Sequence, residues 1–413
     1  MGGFLRKHST PDRPVQQKID LPQLPSYQGH PIEYYQTSIN AELDIQSHFS
    51  FMAPTVTIQA TNEEQYFPEL AAIQDQGYKM LAFVSFPGSI RKFGFTSGRK
   101  GVGITKFQGI FRKLLPDEKD QKWDLRVVKS TLVNHMFTQW SGNIFLNAGS
   151  QSGGVSDSYH IFQTLQTIAE EGGRLISVEL TGMSEEQIDI QKQYMDRHAK
   201  MSHVTTERIP EMQVAVDVFF EIPCQPLSER YVYQVVSCPL ESTYQHTFPH
   251  GHFSSVIDWQ SLISQYLETG WKLVEILEDY SVSYLTQMSG FRPNLTQTNN
   301  CLWISEKPLS RLNDNTQYYE GTMVEHWVTL HSHVHRLESE GATVVEATEW
   351  EPITKHFGKK GWQVVRILNT PDTRLEGTFQ QTTYVKQMIF FQRRVVNKQQ
   401  ITETTQTTSR ETT

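Results

Sequence analysis

Histidine is the residue type best placed for chemistry in this chain. In HWVTLHSHVHR, His331, His333 and His335 recur at every second position, with His326 nearby. On a β-strand that spacing projects three imidazoles from one face, and imidazole suits zinc. A zinc site, however, needs ligands that converge on one ion at about 2 Å from nitrogen, usually from more than one element. Three side chains strung along a single strand do not close such a site, so the run reads as a solvated strand end and no metal is expected. His246, His250 and His252 form a second, looser cluster in a loop. Cys224, Cys238 and Cys301 have no CxxC or Cys–His companion and read as small buried hydrophobes. The run Ser97 to Gly103 (SGRKGVG) lacks the GxxxxGK[ST] order and precedes a strand, so it is a hairpin loop, with Arg91, Lys92, Arg99 and Lys100 as a local basic patch. Glu170 and Glu171 end a helix. Nucleophile, base and stabiliser never come together; the chain is expected to be no enzyme and to need no cofactor.

The N-terminus offers a different chemistry. Met1-Gly2 leaves an acceptor glycine for myristate, and Arg6, Lys7, Arg13 and Lys18 make the arm behind it basic. Arg6 occupies the position where the acylation pattern asks for Ser or Thr. One myristoyl chain binds membranes only marginally, so the basic residues would have to act as the second signal toward anionic lipid.

Most of the chain is scaffold built around four glycines. The segments YFPELAAIQDQGYKMLAFV, IFQTLQTIAEEGGRLISVEL, WQSLISQYLETGWKLVEIL and WEPITKHFGKKGWQVVRIL align on Gly77, Gly172, Gly270 and Gly361, and the residue four before each glycine is apolar: Ile73, Ile168, Tyr266, Phe357. Repetition of this kind governs the fold. A glycine closing an amphipathic segment is the left-handed residue that stops a helix. The bulky residue after it should pack back on the last turn: Tyr78 on Ile73, Trp271 on Tyr266, Trp362 on Phe357. Gly173 leaves that slot empty in the second copy. Strand-like text precedes each helix and follows each glycine twice, as in KLVEIL and then NNCLWISEKP. The expected fold is therefore α+β: four β-α-β-β repeat units paired into two larger antiparallel-rich sheets, with helices packed on one face.

Composition sets the outer limits. With 413 residues, 38% hydrophobic and 20% charged, the chain is ordinary globular protein. No apolar run approaches the roughly 18 residues of a spanning helix, and no secretory h-region is expected at the start. Three cysteines suit a reducing setting. A net charge of −8 argues against nucleic acid as a partner.

The organisation follows from these signals. Residues 1–28, rich in proline, read as a flexible basic arm. Residues 29–224 hold units one and two, with a helical insertion at 183–208, and residues 229–396 hold units three and four. The stretches 149–158 and 283–300 read as polar loops, and 397–413 as a disordered threonine-rich tail.

The block from Tyr319 to Arg394, with VEHWVTL, KKGWQVVRILNTP and KQMIFFQRR, resembles the C-terminal conserved region of the raftlin family. DWQSLISQYLETGWKLVEIL, PELAAIQDQGYKMLAFV and ITKFQGIFRK resemble it less closely, and the GW motifs are also similar to small bacterial domains of unknown function. The resemblance implies a peripheral, non-enzymatic scaffold at the cytoplasmic side of the plasma membrane or its lipid rafts, supporting receptor uptake or signalling with unknown protein partners. It implies Gly2 as the myristoylation site; Gly3 stands where the family carries a palmitoylated cysteine. The alternative reading is a soluble cytosolic adaptor that holds a peptide or small ligand on its repeat sheets.

Overall fold

The computed structural model describes residues 21–49, 54–58, 61–87, 90–93, 100–118, 121–143, 147–183, 212–225, 229–247, 250–255, 258–289, 292–334, 340–345, 348–376 and 382–396. Gly2, Arg6, Lys7, Arg13 and Lys18, the expected helical insertion 183–208 beyond Met183 and the threonine-rich tail 397–413 lie outside these residues.

Four segments follow one another. The first holds β1 (Tyr34–Phe49), β2 (Pro54–Ile58), helix α1 (Phe67–Asp75), β3 (Tyr78–Ser85), β4 (Ile90–Phe93) and β5 (Lys100–Lys113). The second holds β6 (Trp123–Asn143), β7 (Asn147–Asp157), α2 (Tyr159–Glu170), β8 (Arg174–Met183) and β9 (Met212–Pro223). The third holds β10 (Tyr231–Thr247), β11 (His250–Ser255), α3 (Trp259–Leu267), β12 (Lys272–Ser289) and β13 (Arg292–Pro308). The fourth holds β14 (Tyr319–Val334), β15 (Glu340–Val345), α4 (Trp350–Gly358), β16 (Gln363–Glu376) and β17 (Thr382–Arg394). The class is α+β, as expected. The order within a segment differs from expectation, because a further strand stands between the first strand and the helix.

Hydrogen bonding joins the strands into a nine-stranded and an eight-stranded sheet, and every pairing among the described strands is antiparallel. The division at 224/229 does not follow these sheets. β4 pairs with β15, joining the first segment to the fourth, and β7 pairs with β12, joining the second to the third. Local sequence marks many of the strands but carries nothing that ranks one partner edge over another. The stretches 149–158 and 283–300 are correspondingly not loops. Nearly all of the first lies in β7, and nearly all of the second lies in the hairpin of β12 and β13. Their Gly, Ser, Asn and Thr content suggests turns, but cross-strand pairing on both sides overrides it.

All four repeat glycines have positive φ: 88° at Gly77, 79° at Gly172, 82° at Gly270 and 75° at Gly361. Two ends carry the six-to-one bond of a Schellman stop, from Gly173 N to Ile168 O at 2.8 Å and from Trp362 N to Phe357 O at 3.3 Å. Trp362 and Phe357 share one core, as Tyr78 and Ile73 share another. Trp271 lies under the Lys307 ammonium, 5.6 Å from the ring centre, and Tyr266 faces Trp303. Gly173 fits because a Cβ there would come within 2.8 Å of the Ile168 side chain.

Each helix packs on its own segment and on the first strand of the next: α1 on β6, α2 on β10, α3 on β14 and α4 back on β1. Four hydrophobic cores result, each shared by two neighbouring segments, and they close into a ring. A β-bulge at one fixed place stitches the ring together. The strand after each glycine slips register at Leu81, Ile176, Val274 and Val365, the fourth residue on. A bulge re-aims a side chain. Here Leu81 enters the core of α4, Ile176 that of α1, Val274 that of α2 and Val365 that of α3.

Residues 21–28 are docked, which corrects the flexible reading of the whole arm 1–28. Leu21, Leu24 and Tyr27 are half-buried while the residues between them are exposed. The two leucines pack on the core around Trp350 and Phe357, and the Tyr27 hydroxyl donates to Arg394 O at 3.0 Å. One buried side chain in three is the spacing of a polyproline II strand, and LPQLPSY supplies it.

Candidate functional site

The strands that follow the four glycines meet at the centre of the ring: β3 touches β8, β8 touches β12, β12 touches β16, and β16 returns to β3. Whatever stands at one offset from each glycine is therefore gathered around a common axis. The second residues on are Lys79, Arg174, Lys272 and Gln363. Opposite them in register on the last strand of each segment stand Arg112, Glu221, Glu306 and Gln392.

These side chains form an alternating chain across three segments. Lys79 Nζ lies 2.6 Å from Glu221 Oε1, and Arg174 Nη1 lies 3.7 Å from the same oxygen. Arg174 Nη2 pairs with Glu306 Oε1, which Lys272 Nζ reaches at 2.8 Å. Three cations thus share two carboxylates. The carboxylates sit beneath at 2% exposure, while the cations keep 14–19%. Aromatic faces hold two of them from the side, with Lys79 5.5 Å from the Trp123 ring centre and Arg174 4.5 Å from that of Tyr231. Arg112 is occupied separately, by both Glu118 oxygens at 2.6 Å.

The electrostatics follow from burial set against pairing. Burial alone would raise the Glu306 carboxyl, but the Arg174 and Lys272 charges outweigh it and bring it to about 2. Burial lowers Lys79 and Lys272, and Glu221 and Glu306 offset this only in part. Glu221 Oε2 and Gln392 Oε1 are buried and have no hydrogen-bond partner among the described residues.

The cations open into a cavity of about 610 Å³. Its far wall is the docked N-terminal stretch from Tyr27 to His30, and the turn at Leu115–Glu118, Tyr319 and Arg393–Val396 complete it. Arg393 is stacked between Tyr27 and Trp362, 4.6 and 4.3 Å from the ring centres. Beneath the cations the third and fourth residues after each glycine, from Met80 and Leu81 round to Val364 and Val365, leave a throat of only about 30 Å³. That is room for roughly one water.

Below the throat the fifth residues after the glycines are Ala82, Ser177, Glu275 and Arg366. Arg366 Nη2 lies 2.8 Å from Glu179 Oε2, and Nη1 lies 3.4 Å from Glu275 Oε2 and donates to Val178 O at 3.1 Å. Ser177 Oγ and Val178 N donate to Glu275 Oε2 at 2.9 and 2.7 Å. This plug is closed to solvent and structural: one guanidinium holds strands from three segments.

The residues singled out by type stand elsewhere. His326 is buried, its Nε2 is 2.7 Å from Thr348 O, and burial lowers its pKa. His331 and His333 lie on β14 opposite Val344 and Ala342, and His335 is outside the described residues. His246, His250 and His252 lie on the β10–β11 hairpin rather than in a loop. Among the described residues, no group of three or more His, Cys, Asp or Glu is placed to hold a metal ion. Cys238 and Cys301 face each other across β10 and β13, and burial raises both thiols; Cys224 is exposed. Arg91 and Lys92 lie on β4, paired with β5 as in a hairpin. No described helix is long and apolar enough to cross a membrane.

Comparison of the chain with protein-family models, with curated proteins and with solved structures finds no match.

Proposed function

We propose that the protein is a non-enzymatic binding scaffold: four diverged copies of one β-β-α-β-β unit closed into a ring, with a small-ligand site at the axial mouth. The observation that supports this reading is the convergence of Lys79, Arg174 and Lys272, one from each of three segments, on the floor of a cavity of about 610 Å³. Ligand sites are concave and of about 300–1,000 Å³, with a few convergent polar groups. The mouth supplies these without a nucleophile beside a base. Native mass spectrometry of the protein from its own cells tests the reading. A stoichiometric small-molecule adduct that is absent from an Arg174→Gln variant is the expected result. An adduct retained unchanged by that variant would place binding elsewhere.

A second reading concerns location, and the Met1-Gly2 start supports it together with Arg6, Lys7, Arg13 and Lys18. In it the scaffold is raftlin-like and peripheral at the cytoplasmic side of the plasma membrane, held by myristate on Gly2 and by attraction of the basic arm to anionic lipid. Fractionation beside Gly2→Ala tests it: the wild type should sediment with membranes and the variant should not. An unmodified Gly2 in the intact mass would remove this reading.

A further inference from the structure

We infer that the axial mouth binds a phosphate group carried by a small polar molecule, an inference that rests on reading the mouth as a ligand site. Charge at the cavity floor favours an anion. Lys79, Arg174 and Lys272 share Glu221 and Glu306, which leaves the floor of the cavity with one surplus positive charge. That surplus is held in a partly desolvated place where counter-ions and water screen it poorly. A bound anion relieves it and favours the charged form of Lys79 and Lys272, which burial opposes.

Geometry favours a three-oxygen anion. The three cations come from β3, β8 and β12 and stand round one axis, each already anchored on one side by a carboxylate from below or beside it. All three line the cavity. A phosphate monoester carries about −1.5 to −2 charges and three terminal oxygens, one for each cation. A carboxylate has two oxygens and one charge, and leaves one cation unserved.

Size favours a phosphate carried by a larger molecule. The cavity is far larger than an inorganic ion, and the rest of its lining is of mixed character: Tyr27, Ile32, Tyr319, Gln363 and Gln392, with Asp117 and Glu118 each held by an arginine, Arg394 and Arg112. They suit a hydroxylated ring or chain bearing the phosphate. The space beneath the cations is only about 30 Å³, room for roughly one water and too small for a phosphate, so the phosphate stops at the cation level. The same chemistry comes from a soluble phosphorylated metabolite or from a phosphorylated lipid headgroup, and the test separates the two.

Gln363 makes that test clean. It is the fourth member of the ring, it lines the cavity, and it takes no part in the ion-pair chain. Full-length protein is titrated calorimetrically with inositol trisphosphate, with inorganic phosphate as competitor, and with vesicles of phosphatidylcholine containing or lacking a phosphoinositide. Saturable one-to-one binding is expected, weakened about tenfold by Gln363→Glu, which cancels the surplus charge, and by added salt. Gln363→Lys should bind more tightly, and it serves as the readout if Gln363→Glu lowers the unfolding midpoint. Binding to phosphoinositide vesicles that responds to both variants identifies a headgroup, and binding confined to the soluble probe identifies a metabolite. No saturable binding of any probe, or equal affinity in all three proteins, would overturn the inference. A co-purified ligand without phosphate would overturn it too, while leaving the mouth as the binding site.

Discussion

A single glycine shows how much one residue decides. At Gly77 a Cβ would meet nothing within 4 Å, so Gly77→Ala should cost only the left-handed strain, about 1 kcal/mol. At Gly270 the same Cβ would lie 2.8 Å from Thr316 O and 3.0 Å from Asp314 O, both backbone, so Gly270→Ala should cost clearly more. Urea unfolding of the two variants measures the difference, and equal costs would contradict it. Arg366 is a second such point. Arg366→Met leaves Glu179 and Glu275 buried without their cation, a loss of about 3–5 kcal/mol. Replacing all three by apolar residues should recover much of it, as chemical denaturation would show.

The pH dependence also belongs to individual residues, and two carboxyls act in opposite senses. Glu306 has its folded pKa depressed to about 2. Its contribution to stability is full above about 4.5 and is lost as the pH falls toward 2. Asp217 is raised to about 6, first by burial and despite the hydrogen bond from Tyr66. Its contribution is full below about 4 and is lost as the pH rises through 6. Asp217→Asn should therefore gain stability relative to wild type between pH 4 and 7, read from unfolding midpoints. A constant difference across that range would contradict the assignment.

At the scale of elements, the sequence shows what is local and hides what is not. The four helices, their glycine stops and the strand after each glycine follow from local patterning, because an amphipathic turn and a positive-φ glycine need no distant partner. The extra strands β2, β7, β11 and β15 escape it. β2, β11 and β15 are only five or six residues long and β7 is polar and glycine-rich, so none carries a long apolar alternation, and a neighbouring strand supplies the hydrogen bonds. The docked stretch LPQLPSY was legible as a period of three, yet its prolines suggest a free arm. The site itself was within reach. Reading forward from the glycines in GYK, GGR, GWK and GWQ places Lys79, Arg174, Lys272 and Gln363 at one offset. What no sequence offset reveals is that the four strands meet on a common axis. At this scale the bulge is the testable device. Ile176→Ala in β8 should weaken the core under α1, by about 2–5 kcal/mol, although Ile176 belongs to the next segment. Amide exchange should show the loss at α1; a loss confined to the second segment would contradict the shared core.

At the scale of the molecule, closure is the main consequence. Each core borrows side chains from the neighbouring segment, so the ring has no natural place to be cut. The first segment completes the fourth, and the docked stretch before β1 covers the join and walls the cavity. Frame and cavity are therefore one construction: in three of the four segments the glycine that stops the helix also sets where a cation stands on the axis. Amide hydrogen exchange with and without inositol trisphosphate tests this most directly. The account predicts protection concentrated at residues 79–81, 174–176 and 272–274 and at Tyr27–His30, in three segments at once. Protection confined to one segment, or none at these residues, would contradict it.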